Sequence, residues 1–202
     1  FDQNAGLPSN RITALLNDGR YMWAGTTHIG TVTGGLARRE ASGNWNVLTG
    51  LPHTDVYSLA ADSLGGIWVG TAGGLAHLMV EGTWESNLPT DSVYALLGDQ
   101  QGGVWMAVDG VAHLNAARTV TPFHTGNSPL PDNWVTTLLD DGLGGHWIGM
   151  DEGGLARLKA DANWEFINTG NSKLPSNRVN ALLADDRGGL WLGTKEGLAH
   201  RN

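Results

Sequence analysis

The chain has 202 residues, with twenty acidic and twelve basic side chains and a net charge of −8 at pH 7. This acidic balance argues against a surface that binds nucleic-acid phosphates, and no apolar stretch of the sequence is long enough to insert into a membrane. There are 30 Gly and 9 Trp but no Cys, so disulfides and thiolate metal sites are excluded. With 41% hydrophobic residues, the composition indicates a globular protein with a buried core.

Three short motifs recur five times in the same order, and this recurrence is the first signal of the architecture. The dipeptide Leu-Pro comes first, at intervals of 44, 37, 42 and 44 residues. A Trp follows each Leu-Pro, and a Gly-Leu or Gly-Val pair follows each Trp. We therefore interpret the chain as five copies of one unit, numbered repeats 1 to 5. The recurring Trp residues are Trp23, Trp68, Trp105, Trp147 and Trp191.

Each repeat predicts four short strands. The first follows Leu-Pro, is rich in Val, Leu and Ala, and ends at an Asp. It is too short for a helix, because Pro precedes it and Asp and Gly follow it. The second strand carries the Trp, the third begins at the Gly-Leu or Gly-Val pair, and the fourth precedes the next Leu-Pro. First strands are predicted at 11–18, 55–62, 92–99, 134–141 and 178–185, and fourth strands at 45–50, 84–87, 120–126 and 164–170.

Four short strands in each repeat, with no helical segment, are typical of a β-propeller blade. The predicted fold is all-β, a single domain over 1–202 that forms a five-bladed β-propeller of four-stranded antiparallel blades. Repeat 5 stops after its third strand, and Phe1–Asn4 resemble the fourth strand of repeat 4. We therefore expect the N-terminal strand to complete the last blade and close the ring. The blades are predicted at 11–50, 55–87, 92–126, 134–170, and 178–202 together with 1–4.

The consensus LP-x-N-x-V-x-ALL-x-D-x-x-G-G-x-W-x-G-T-x-x-GLA-[RH]-L resembles the two-component regulator propeller repeat, and residues 174–202 match it best. The resemblance implies a sensor domain of the kind found in hybrid histidine kinases, which often recognise saccharides. It also implies an extracytoplasmic location, periplasmic or secreted. Such sensors usually carry more than five blades. Related repeats occur in antibiotic lyases that use His, Glu and a divalent metal, but this sequence shows no such His/Glu cluster.

Residues that recur in every repeat are explained by the fold, so residues that break the repeat are the better candidates for function. Trp134 begins a first strand where the other repeats have Arg, Asp or Ser. In a propeller, this position and the loop between strands two and three lie on one face, around the channel mouth. An aromatic ring there stacks on the apolar face of a sugar, and Arg and Asp bind hydroxyls or carboxylates. The predicted ligand-binding residues are Arg11, His28, Asp55, Asp109, Trp134, Asp151, Arg178 and Lys195. A solvated loop rim is the alternative explanation.

The repeated acidic and histidine residues are assigned to the fold. An Asp followed by Gly residues after each first strand is typical of a tight turn. The segment DDGLGG at 140–145 offers too few oxygen ligands for a calcium ion. His77, His113 and His200 share one position of the repeat, which keeps them from converging on one metal ion. No catalytic residue, metal or cofactor is therefore predicted.

Three functions stay open. We expect a non-enzymatic, monomeric sensor-type propeller that binds a saccharide or another small polar ligand. A structural or protein-interaction scaffold, excised or engineered, would explain the repeats by folding alone. A glycosidase- or lyase-like enzyme would need a carboxylate pair at the channel mouth. The carboxylates available for such a pair are Asp55, Asp91, Asp109 and Asp151.

Overall fold

The structure is a computed structural model that describes residues 6–85, 87–185 and 187–201. These ranges contain eighteen β-strands and no helix, and hence no helix that could cross a membrane. The strands are β1 (Arg11–Asn17), β2 (Met22–Thr27), β3 (Gly35–Arg39), β4 (Trp45–Leu48), β5 (Val56–Ala61), β6 (Ile67–Thr71), β7 (Gly74–Leu78), β8 (Ala95–Gly98), β9 (Val104–Val108), β10 (Gly110–Leu114), β11 (Val120–Phe123), β12 (Val135–Asp140), β13 (His146–Met150), β14 (Leu155–Leu158), β15 (Trp164–Ile167), β16 (Val179–Ala184), β17 (Leu190–Thr194) and β18 (Gly197–Arg201).

Each repeat forms its own antiparallel sheet, in which strands adjacent in sequence are adjacent in space. Four strands make up the sheets of repeats 1, 3 and 4, which are β1–β4, β8–β11 and β12–β15. Three described strands make up those of repeats 2 and 5, which are β5–β7 and β16–β18. The all-β prediction is confirmed. Closure of five blades into a ring stays a prediction, and its closing strand Phe1–Asn4 lies outside the described residues.

The fourth strand predicted at 84–87 in repeat 2 is only partly described, because residue 86 lies outside the described residues. Trp84 makes one isolated bridge to Leu78, and the N–H of Glu85 donates to the carbonyl of His77 at 3.0 Å. The Glu85 carboxylate is then bound by the side chains of His77 and Arg118. Repeat 2 has the shortest spacing to the next Leu-Pro, 37 residues, which leaves little chain for a fourth strand.

The chain divides into two compact units. Unit 1 comprises Phe1–Val104 and Asn115–Arg118, and unit 2 comprises Trp105–Leu114 and Thr119–Asn202. In unit 1, Trp23 and Leu36 of repeat 1 belong to one buried cluster with Val56, Ile67 and Val69 of repeat 2. The core therefore lies between the facing sheets of consecutive repeats. The equivalent cluster of unit 2 contains Trp147, Leu155, Val179, Leu190 and Leu192.

The repeated Asp at the end of strand one joins a turn to the third strand. In repeat 4, Asp141 Oδ1 accepts hydrogen bonds from the N–H groups of Leu143 and Gly145 at 2.8 and 2.7 Å. Its Oδ2 accepts from Arg157 Nε at 2.8 Å, and the Arg157 guanidinium lies 4.8 Å from the centre of the Trp147 ring. Burial would raise the pKa of Asp141, but these bonds outweigh it and hold the pKa below its ordinary value. The assignment of this Asp and this Trp to the fold is confirmed.

Candidate functional site

The start of each first strand is held beside the turn between strands two and three of the same repeat. In repeat 4 the N–H of Asp151 donates to the carbonyl of Trp134 at 2.9 Å. In repeat 5 the N–H of Lys195 donates to the carbonyl of Arg178 at the same distance. The residues that break the repeat at these two positions are therefore neighbours within each of the two repeats.

A second set of backbone bonds joins these turns to the next repeat of unit 2. The N–H of Gly110 donates to the carbonyl of Asn133 at 2.8 Å, and that of Gly154 to Asn177 at 2.9 Å. Gly154 has a φ of 80°, and a side chain there would collide with the carbonyl of Ile167, which explains the recurring Gly. The bonds place five predicted residues in one row, the unit 2 rim. The unit 2 rim consists of Asp109, Trp134, Asp151, Arg178 and Lys195.

An ion pair connects repeats 4 and 5 within the unit 2 rim. Arg178 Nε lies 2.8 Å from Asp151 Oδ1, and half of the Arg178 side chain is exposed. Arg178 Nε also donates to Asn180 Oδ1 at 3.3 Å. Because solvent screens an exposed pair, this contact adds little to stability. It orients a guanidinium at the surface instead.

Trp134 is 64% exposed, and the carboxylate of Asp132 binds the backbone that carries it. The N–H of Trp134 donates to Asp132 Oδ1 at 2.9 Å. Asp132 Oδ2 accepts from the N–H groups of Glu152 and Gly153 at 2.8 and 3.2 Å. Asp132 therefore ties the strand that carries Trp134 to the turn that carries Asp151. We did not select Asp132 from the sequence, although an Asp two residues before a strand is a recognisable Asx-turn signal.

In unit 1, the predicted residues Asp55 and His28 form a tight pair. The buried carboxylate of Asp55 accepts from the His28 N–H and contacts the His28 ring Nδ1, both at 2.7 Å. Burial would raise the pKa of Asp55, but the His28 bonds and the nearby His28 and His53 charges hold it below its ordinary value. Both carboxylate oxygens of Asp55 contact His28, so Asp55 fixes the orientation of the exposed His28 ring.

Two aromatic residues of unit 1 were missed by sequence reasoning. Tyr57 and Tyr94 stack with ring centroids 5.5 Å apart and planes 13° from parallel. Burial, the Asp55 charge and Tyr94 raise the pKa of Tyr57, whereas the Arg11 charge opposes them. Tyr57 lies at a β-bulge, since the register of β5 with β6 shifts between Val56 and Ser58, and bulges redirect side chains. The sequence carries a signal for these two residues, because the position of Tyr57 and Tyr94 in the first strand also differs between repeats. It is occupied by Thr13, Tyr57, Tyr94, Thr136 and Asn180.

A cleft of about 450 Å³ in unit 2 lies elsewhere, beside the third strand of repeat 5. Phe166, Leu174 and Leu192 are among its lining residues, and its lining contains none of the eight predicted residues. No group of three or more His, Asp or Glu side chains suited to a metal ion occurs within the ranges that the structure describes. The cleft and the exposed row around Trp134 are therefore separate places, and the row is the candidate site because five of the predicted residues lie together there.

A family profile described as "Two component regulator propeller" matches residues 6–28, 50–73 and 173–196. Each match runs from the Leu-Pro region through the Trp strand into the turn between strands two and three. Three of the five repeats, repeats 1, 2 and 5, thus match the two-component regulator propeller repeat. These repeats were identified from the Leu-Pro, Trp and Gly-Leu spacing, and that identification is confirmed. No curated protein matches the chain.

Solved structures share the fold of these propeller repeats. The extracellular domain of the hybrid two component system BT3049 from B. thetaiotaomicron is 22% identical, with a TM-score of 0.82 over 100% of this chain and 30% of that chain. The extracellular domain of the one component system BT4673 from B. thetaiotaomicron is 23% identical, with a TM-score of 0.76 over 95% of this chain and 27% of that chain. A catalytically inactive virginiamycin B lyase from Staphylococcus aureus is 12% identical, with a TM-score of 0.73 over 94% of this chain and 69% of that chain.

These likenesses confirm the β-propeller prediction at the level of the fold. The chain spans less than a third of the length of the two extracellular domains. A fold shared between sensors and a lyase does not by itself assign a function.

Proposed function

We propose that this chain is a sensor-type propeller domain whose unit 2 rim binds a small polar ligand, a saccharide or a small acid, outside the cytoplasm. The observation that carries the proposal is the 64% exposed indole of Trp134 beside the Arg178–Asp151 ion pair. Its backbone is fixed by Asp132, so the ring is presented without the entropy cost of ordering a loop on binding.

The chemistry of the rim suits a ligand with an apolar face and several polar groups. The Trp134 ring offers a flat surface for C–H groups of a sugar ring. Arg178 and Lys195 offer donors to hydroxyl or carboxylate oxygens, and Asp109 and Asp151 offer acceptors. With two cations and two anions, the rim suits a neutral or singly anionic ligand better than a strongly charged one.

The similar extracellular domains support a sensor role and an extracytoplasmic location for this chain. The closed five-bladed ring expected from the sequence would bring Arg11, His28 and Asp55 to the same mouth as the unit 2 rim. Binding at Trp134 does not depend on that closure, because the rim is formed within unit 2 alone.

Trp134→Ala should abolish ligand binding while the melting temperature stays within a few degrees, because an exposed ring contributes little to the core. The measurement is a thermal-shift screen of saccharides and small acids, followed by calorimetry on the ligand found. Leu143→Ala is the matched control, since Leu143 is 75% exposed in a turn of the same repeat; it should bind as the unsubstituted protein does. Unchanged binding by Trp134→Ala would place the site elsewhere, and no binding by the unsubstituted protein would contradict the proposal.

A further inference from the structure

Repeats 1 and 4 each carry a threonine that links the repeat to the next one. In repeat 1, the hydroxyl of Thr13 lies within hydrogen-bond distance of the carbonyls of Gly25, in its own repeat, and Val56, in repeat 2. In repeat 4, the hydroxyl of Thr136 makes the same two contacts, one with its own repeat and one with repeat 5. Both threonines are the extra residue of a β-bulge in the first strand. We name this pair of contacts the threonine bridge.

Repeats 2 and 3 have tyrosines at the same position and therefore lack the threonine bridge. The hydroxyl of a Tyr stands at the far end of a rigid ring, so it does not reach the carbonyls that the short Thr side chain reaches. Tyr57 of repeat 2 and Tyr94 of repeat 3 instead stack on each other, with ring centroids 5.5 Å apart. Tyr94 is 44% exposed. Two consecutive repeats thus replace a structural hydrogen bond by an aromatic surface, which favours a role in binding over a role in folding.

The start of β1 brings a positive charge beside the tyrosine pair. Arg11 precedes Thr13 by two residues, and the Thr13 hydroxyl contacts the carbonyl of Val56, the residue before Tyr57. Burial and the Asp55 charge raise the pKa of the Tyr57 hydroxyl, and the Arg11 charge opposes them. Among the residues that the structure describes, no carboxylate forms an ion pair with the Arg11 guanidinium. Arg11 is therefore available to a ligand.

The carboxylate of Asp55 does not compete for this ligand. Asp55 is 6% exposed, and both of its oxygens contact His28. The charge that stays exposed beside the tyrosine pair is the Arg11 guanidinium, which suits an anionic group. Arg11, Tyr57 and Tyr94 all belong to unit 1, and their arrangement is built from contacts within that unit.

We propose that Tyr57, Tyr94 and Arg11 form a second binding site, the tyrosine site, for a planar aromatic ring that carries a carboxylate. The ring stacks on the tyrosine pair in the offset arrangement that aromatic rings prefer. The carboxylate accepts hydrogen bonds from the Arg11 guanidinium. The tyrosine site shares no residue with the unit 2 rim, so this proposal does not depend on the proposed function.

Isothermal titration calorimetry with cinnamate, a planar aromatic carboxylate, and with its uncharged amide tests the role of Arg11. The 202-residue chain should bind cinnamate with a dissociation constant below about 1 mM. Arg11→Gln should weaken cinnamate binding by about tenfold or more, because a charge-assisted hydrogen bond is lost, and should weaken binding of the amide much less. Arg20→Gln, at another exposed arginine of repeat 1, is the control and should leave both affinities unchanged. Equal losses for the two ligands in Arg11→Gln would overturn the proposal.

Tyr57→Thr separates binding from folding, because it restores the residue found in repeats 1 and 4. The introduced hydroxyl is placed to form a threonine bridge with the carbonyls of Gly70 and Val93. We therefore expect the melting temperature to stay within a few degrees while cinnamate binding weakens about fivefold or more. A large fall in melting temperature with unchanged cinnamate binding would overturn the proposal, since the tyrosine would then serve packing alone.

Tyr94→Ala gives a second test at the more exposed ring, and it should also weaken cinnamate binding about fivefold or more. Trp134→Ala should bind cinnamate as the unsubstituted protein does, which distinguishes the tyrosine site from the unit 2 rim. Loss of cinnamate binding in Trp134→Ala would overturn the separate site. No binding of cinnamate by the unsubstituted protein, or unchanged binding by both tyrosine variants, would overturn the proposal as well.

Discussion

Trp68→Ala should lower the free energy of unfolding by about 3–5 kcal/mol, the range for removing a fully buried large aromatic side chain. Trp68 is fully buried, and its ring stacks on His77 with centroids 3.8 Å apart. The Arg118 guanidinium lies 5.1 Å from the ring centre. Truncation therefore removes contacts with two charged or polar side chains and leaves a cavity. Urea unfolding followed by far-UV circular dichroism measures the loss, since that signal does not depend on the removed indole.

Trp191→Ala is the matched control, because Trp191 holds the equivalent position in repeat 5 but is 38% exposed. Its ring also lies against a histidine, with a centroid distance of 4.2 Å to His200. The two substitutions thus differ mainly in burial. We expect a loss of about 1–2 kcal/mol for the partly exposed ring. Equal losses for the two variants would contradict the account, since burial would then not set the contribution of the repeated Trp.

Glu85→Gln should lower the free energy of unfolding by about 1–3 kcal/mol at neutral pH, between the values for exposed and buried ion pairs. Glu85 Oε2 lies 2.7 Å from His77 Nδ1 and 2.7 Å from Arg118 Nη2. The other ring nitrogen of His77 lies 3.0 Å from Asp62 Oδ2. The substitution removes one negative charge from this cluster while keeping the side-chain shape. Glu81→Gln, at an exposed residue of the adjacent turn, is the control and should change stability by less than about 0.5 kcal/mol.

The same variant tests the pH dependence of the cluster. Burial would raise the pKa of Glu85, but the hydrogen bonds and charges of Arg118 and His77 outweigh it and hold the pKa below its ordinary value. A lowered pKa gives stability that is fully present above the unfolded-state pKa, about 4.3, and that is lost as the pH falls through the folded-state pKa. The stability difference between the unsubstituted protein and Glu85→Gln should therefore shrink as the pH falls below about 4. A difference that stays constant down to pH of about 3 would contradict this.

The candidate site shows what reasoning from repeats indicates and where it stops. Trp134 was found because it breaks the repeat, and the structure places it at the surface beside Asp151 and Arg178. Asp55 was selected by the same rule, yet its carboxylate is buried and bound by His28. A residue that breaks the repeat has different surroundings from its equivalents in the other repeats. The difference is explained either by ligand binding or by the fold.

The sequence by itself determined the repeat, its strands and its turns, because these depend on residues close together in the chain. The Asp that closes each turn and the Gly that begins most third strands act over a few residues, so their pattern is visible without coordinates. Only the tertiary structure decided which copies of a motif are buried. Trp68 and Trp191 stand in nearly the same local sequence, but Trp68 is covered by a neighbouring repeat and Trp191 is not. Burial depends on what packs against a residue from outside its own repeat, and no local pattern records that.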